Sequence, residues 1–143
     1  KERLQREWAL DEENIVIEHA GVGRKTDEMH ICSANEGHSN PSVKLLSAGS
    51  GSECKVYALD DYFQEQRVDF IKADIEGSEW DMLHGAEQII RRDRPKLAIC
   101  IYHMGSDLYT IQMYLASLNL GYKFAVRHHA LDSTETVLYA YVE

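Results

Sequence analysis

With 143 residues the chain is long enough for one domain with a sizeable core, and 44% hydrophobic against 27% charged residues marks it as globular rather than disordered. Its 24 acidic and 15 basic residues give a net charge of −9, which argues against a nucleic-acid backbone or an anionic membrane as the main partner. No apolar run approaches the roughly 20 residues of a membrane span, and no signal-peptide core is visible.

Three cysteines, Cys32, Cys54 and Cys100, are odd in number and lack CxxC spacing, so neither a disulfide framework nor a zinc knuckle is expected. Reduced thiols in a cytoplasmic protein are the simpler reading.

The chain opens on helical spacing, with Leu4 and Trp8 at i and i+4 and no capping residue ahead. It reads as starting inside a helix, 1–10, of something longer. A polar break at 11–14 leads into a β-branched strand at Ile15, Val16 and Ile17 that runs to Ala20 and Gly21. A second strand is expected at 28–33. Residues 34–41 are polar and turn-rich, and 47–52 have the composition of a linker or surface loop. A strand follows at 55–59, then a short helical turn at Tyr62 and Phe63.

The centre of the sequence is 68–92. It reads as a buried strand at 68–73, an acidic turn with Asp74, Glu76 and Gly77, and one amphipathic helix over 78–92. Ser78 is placed to cap that helix and Glu79 to favour its first turn. Trp80, Leu83, Ala86, Ile89 and Ile90 form its apolar face, and Pro95 stops it. The apolar strand 97–102 ends at His103, and its continuity implies a sheet covered on both faces. Asp107 is expected to cap a helix with Leu108, Ile111, Leu115 and Leu118 on its face, ended by Asn119 and Gly121. A strand at 122–126, a polar link at 128–135 and a last strand at 137–142 complete the chain. Helical crossovers make the first three of these strands parallel, and the short link makes the last antiparallel to its predecessor. The fold class is therefore α/β, a parallel sheet finished by an antiparallel hairpin. Strand 68–73 should neighbour 97–102, with Asp74, Glu76 and His103 at one edge, where open α/β sheets bind ligands.

The run from Asp69 through Lys72, Asp74, Glu76, Gly77 and Glu79 to Leu83, Gly85 and Ala86 resembles the signature of FkbM-type methyltransferases. Further matches are Ala58-Leu59-Asp60-Asp61, Arg94-Pro95-Lys96-Leu97, Tyr102-His103 and Leu120-Gly121-Tyr122, with Leu4 and Ala20-Gly21-Val22-Gly23 in order upstream. The resemblance implies a class I, Rossmann-like domain that binds S-adenosylmethionine and methylates hydroxyl oxygens of sugars or natural products. This chain would be its C-terminal part, a single domain over 1–143 shortened at the N-terminus. Members of the family open with a glycine-rich loop of the type Asp-x-Gly-x-x-x-Gly and then an acidic ribose ligand, and neither is present; Gly21-Val22-Gly23 is too short.

Asp74, Glu76 and His103 are the candidate catalytic residues. An acid here can accept a hydrogen bond from the acceptor hydroxyl or act as base, and His103 can do the same. The structural alternative has Asp74 bonding turn amides and Glu76 pairing with Lys72. An Asp-x-Glu pair can also bind a divalent cation, but the sequence fixes no third ligand, so no metal is assigned. The resemblance gives Ala20, Gly21 and Asp74 to the cofactor. Asp60 reads as a turn cap, and His128 and His129 as too divergent to share a metal. Expected partners are a small hydroxylated acceptor and, across an open edge at 68–73, either the strand 15–18 or a second copy in a homodimer. The alternatives to an enzyme of this kind are a non-catalytic methyltransferase-like module and a metal-using sugar-nucleotide transferase.

Overall fold

The structure is a computed structural model that describes residues 15–33, 43–46, 52–132 and 134–143, with the backbone alone for 31–33 and 43–46. The helix expected at 1–10, the turn-rich stretch 34–41 and most of the loop 47–52 lie outside the described residues; Ser52 itself opens a strand.

Apolar runs of the second half form one sheet. Its strands are β5 (Phe70–Ala73), β6 (Lys96–Cys100), β7 (Lys123–His128) and β8 (Thr136–Tyr141), in the spatial order β5-β6-β8-β7. β5 and β6 pair in parallel, and β8 pairs antiparallel with both β6 and β7. β5, β6 and β7 thus run the same way, as the crossover lengths require. The last strand pairs with its predecessor as expected, but it also inserts between β6 and β7. Residues 97–101 are all at most 5% exposed, so β6 is covered on both faces. One face carries Leu97, Ile99 and Ile101 against Leu83, Ile90, Ile111 and Leu115; the other carries Ala98 and Cys100 with Val137, Tyr102 and Tyr139. Each fully buried Leu or Ile contributes about 1.5–3 kcal/mol by leaving water.

The single helix expected over 78–92 is two: α2 (Glu79–His84) and α3 (Glu87–Asp93), after a first short helix α1 (Leu59–Phe63). Asp60 causes the break. Its N–H donates to the Gly85 carbonyl at 2.8 Å, and its carboxylate accepts the N–H groups of Gln88 and Ile89 at 3.0 and 2.9 Å. In a continuous helix the Gly85 carbonyl would accept from Ile89, so Asp60 has inserted into the ladder from another element. Asp60 is thus the cap expected, though of α3. Ser78 occupies the N-cap position of α2 without a side-chain cap bond. Helix α4 (Asp107–Ser117) departs from expectation in two ways: Asp107 is its first helical residue rather than its cap, and Leu108 is 54% exposed while Ile111, Leu115 and Leu118 are buried. Asn119 and Gly121 end it with positive φ angles of 56° and 79°.

The first half forms a second sheet from β1 (Gly21–Val22), β2 (Asp27–Ser33), β3 (Val43–Leu46) and β4 (Ser52–Tyr57), ordered β1-β4-β2-β3. No strand forms at 15–20. Val16 and Ile17 are 77% and 57% exposed, and no described strand offers them a ladder. That stretch therefore does not cover β5, whose outer edge pairs with no strand among the described residues. No helix among the described residues is long and apolar enough to cross a membrane.

Candidate functional site

Because β5 and β6 are adjacent and parallel, with Ala73 opposite Ile99, the chain leaves both at the same edge. Asp74 follows β5 directly. Glu76 and Gly77 then reverse the backbone with φ of 57° and 93°. Gly77 adopts this freely, whereas a left-handed Glu76 costs about 1–2 kcal/mol, a strain held by the surrounding turn. His103 arrives three residues beyond β6.

The three candidate catalytic residues meet there. His103 Nε2 lies 3.5 Å from Asp74 Oδ1 and 3.9 Å from Glu76 Oε2. The fourth member is Glu79, which the sequence presents only as a first-turn acid. It is fully buried, with Oε1 2.9 Å from His103 Nδ1 and accepting the Ile75 N–H at 2.8 Å. The turn amide expected to bind Asp74 thus belongs to Glu79, and Lys72 reaches Asp74 (Nζ to Oδ2, 3.9 Å) rather than Glu76. The imidazole is 91% buried, yet neither ring nitrogen is aligned for a hydrogen bond with its carboxylate neighbours. The Asp74 side chain is 32% exposed, so the cluster opens to solvent on that side.

Two tyrosine-side features complete the site. The Tyr102 hydroxyl donates to Asp74 Oδ1 at 2.9 Å, and its ring lies 4.1 Å from the His103 ring. Burial first, and then the bond to Asp74, raises the Tyr102 pKa. Cys100 below it is pushed up to about 12, by burial and then by Asp74, so it stays a thiol. Behind Glu79, Asp107 is 4% exposed, and burial together with the Glu79 charge raises its pKa. No sequence signal marks Glu79 or Asp107 as buried, since an acid in a first helical turn is ordinarily solvated.

Ala20 and Gly21 lie elsewhere. They line a cavity of about 500 Å³ with Tyr57, Leu59, Tyr62 and Phe63, and Asp74 is not among its lining residues. Val22, Leu59 and Phe63 also line a second hollow of about 230 Å³ that runs along β5 to Ile75. An apolar wall therefore joins Ala20 to the residue after Asp74. His128 and His129 sit on the hairpin, bonded separately to Thr136 Oγ1 and the Tyr139 hydroxyl, so they share no ligand.

Comparison with known proteins places this geometry in a family. A crystal structure titled as methyltransferase FkbM from Methylobacillus flagellatus is similar to the chain, with 29% identity and a TM-score of 0.74. The match covers 98% of this chain but 32% of that protein, so the chain spans about a third of its length. No curated protein sequence matches the chain significantly. The profile of the FkbM methyltransferase domain matches residues 3–124, most of the sequence, and the chain therefore belongs to the FkbM methyltransferase domain family.

Proposed function

We propose that the chain forms the acceptor side of a class I, Rossmann-like methyltransferase domain that uses S-adenosylmethionine and methylates a hydroxyl of a sugar or natural product. The observation that carries this reading is the Asp74–Glu76–His103 cluster at the carboxyl ends of two adjacent parallel strands. The cofactor supplies a methyl group already activated on a sulfonium. The protein's part is to align the acceptor, exclude water and receive a proton. Asp74, partly exposed, faces the incoming hydroxyl. His103, buried beside Asp74, Glu76 and Glu79, is the group that receives the proton. Glu76 at the rim accepts a hydrogen bond from a second acceptor hydroxyl.

The described residues fit only part of the cofactor. Tyr57, Tyr62 and Phe63 beside Ala20 and Gly21 give an apolar, aromatic wall suited to an adenine ring. No glycine-rich cradle for the amino-acid end occurs among the described residues. This favours a second reading in which the chain is a non-catalytic module. Calorimetry with S-adenosylmethionine separates the two for the chain by itself. We expect no binding at micromolar cofactor, and tight one-to-one binding would show the cradle to be dispensable.

Methyl transfer is tested in a protein that carries the domain together with a cofactor-binding segment, using labelled cofactor and a panel of hydroxylated acceptors. Asp74→Asn and His103→Gln should each lower turnover at least tenfold with an unchanged melting temperature. Parallel loss of activity and stability would make the cluster structural instead.

A further inference from the structure

Four buried side-chain atoms lack a hydrogen-bond partner among the described residues: Glu79 Oε2, His103 Nδ1, His103 Nε2 and Asp107 Oδ2. They belong to one neighbourhood, since Asp107 interacts electrostatically with both Glu79 and His103. Native proteins rarely leave such atoms bare, and a bound ion or water is the usual resolution. Charge favours an ion. Asp74, Glu76 and Glu79 all approach one imidazole, and the cation recorded beside them, Lys72, reaches only the outer oxygen of Asp74.

We propose that Asp74, Glu79 and His103 form a binding site for a divalent transition-metal ion. One ligand atom from each lies within 4.8 Å of the others. Bonds of about 2.0–2.2 Å to such an ion put ligand atoms about 3–4 Å apart. The 3.5 Å between Asp74 Oδ1 and His103 Nε2 is already in that range. Glu79 Oε1 accepts the Ile75 N–H and lies 2.9 Å from His103 Nδ1, while the fully buried Oε2 has no hydrogen-bond partner among the described residues. One nitrogen and two carboxylate oxygens suit Mn²⁺, Fe²⁺ or Zn²⁺ better than Ca²⁺, which takes six to eight oxygens. The solvent-open side of Asp74 leaves positions for water or an acceptor hydroxyl.

The inference concerns cation binding by the chain alone and stands apart from methyl transfer. The chain, stripped with chelator, is titrated with MnCl₂ and separately with ZnCl₂. Calorimetry and the loss of the free Mn²⁺ electron-spin signal report binding. We expect one ion per chain at micromolar concentration and a raised melting temperature. Asp74→Asn should weaken binding at least tenfold; this partly exposed side chain can change without disturbing packing. His103→Gln should do the same, while His128→Gln, on the hairpin, should leave binding unchanged. No binding of either ion at millimolar concentration would overturn the proposal. So would binding of equal strength in the Asp74 and His103 variants.

Discussion

The two sheets are built on opposite plans. In β5-β6-β8-β7 the parallel strands are joined through helices, and β6 is buried on both faces. In β1-β4-β2-β3, β4 alternates, with Cys54 and Val56 buried and Ser52, Glu53 and Lys55 exposed. The first plan concentrates the core and leaves its strand ends as the place where polar groups converge. The second leaves one face of β4 to solvent, and its Gly21, Val22 and Tyr57 line the apolar cavity beside Ala20. A seam joins them: the Gly23 carbonyl lies over Gly85, Arg24 pairs with Asp81 at 3.1 Å, and Thr26 bonds Asp61 at 2.6 Å.

The contrast can be broken most severely in the helix-covered sheet. Leu83→Ala, at a position with no exposure, should cost about 2–5 kcal/mol in urea denaturation and unfold both sheets together. The seam comes next. A Cβ on Gly85 would sit 2.1 Å from the Gly23 carbonyl oxygen, so Gly85→Ala should cost about 3 kcal/mol, the upper end for overpacking. Hydrogen exchange in that variant should rise first in β1 and β4, and uniform acceleration across both sheets would show that the seam does not divide them.

Asp60→Ala removes the acceptor for two amides of α3 and should cost about 0.5–2 kcal/mol. Restored helical continuity through Gly85 would reduce that loss, which circular dichroism can detect.

The smallest effect is a pH dependence confined to the helix-covered sheet. Asp93 holds the Val68 N–H that leads into β5, and the Arg92 guanidinium beside it lowers its pKa from 3.8 to about 2. A depressed folded-state pKa stabilises above the unfolded value and is lost as pH falls through the folded one. Wild type should therefore lose stability relative to Asp93→Asn between 3.8 and about 2, with no difference in slope near neutrality.

The sequence by itself determined most of the second half. The continuous apolar run 97–101 reads as a strand covered on both faces, as β6 is, whereas β5, which reads as a buried strand, instead alternates, with Ile71 and Ala73 buried and Phe70 57% exposed. The helical lengths between the strands force parallel pairing. That alone brings Asp74, Glu76 and His103 to one edge, because residues following adjacent parallel strands emerge together. The sequence also carries the family motif. Tertiary structure decided three things that local pattern does not encode. An apolar period continues unbroken through Gly85 and Ala86, yet Asp60 from another element takes over the amides and splits the helix. Val16 and Ile17 have strand-forming side chains, but a strand exists only where a neighbour supplies the ladder, and none does among the described residues. Glu79 reads as a solvated first-turn acid because composition cannot say which way a turn points. Folding buries it completely against His103, and a carboxylate so placed must find a proton, a partner or an ion.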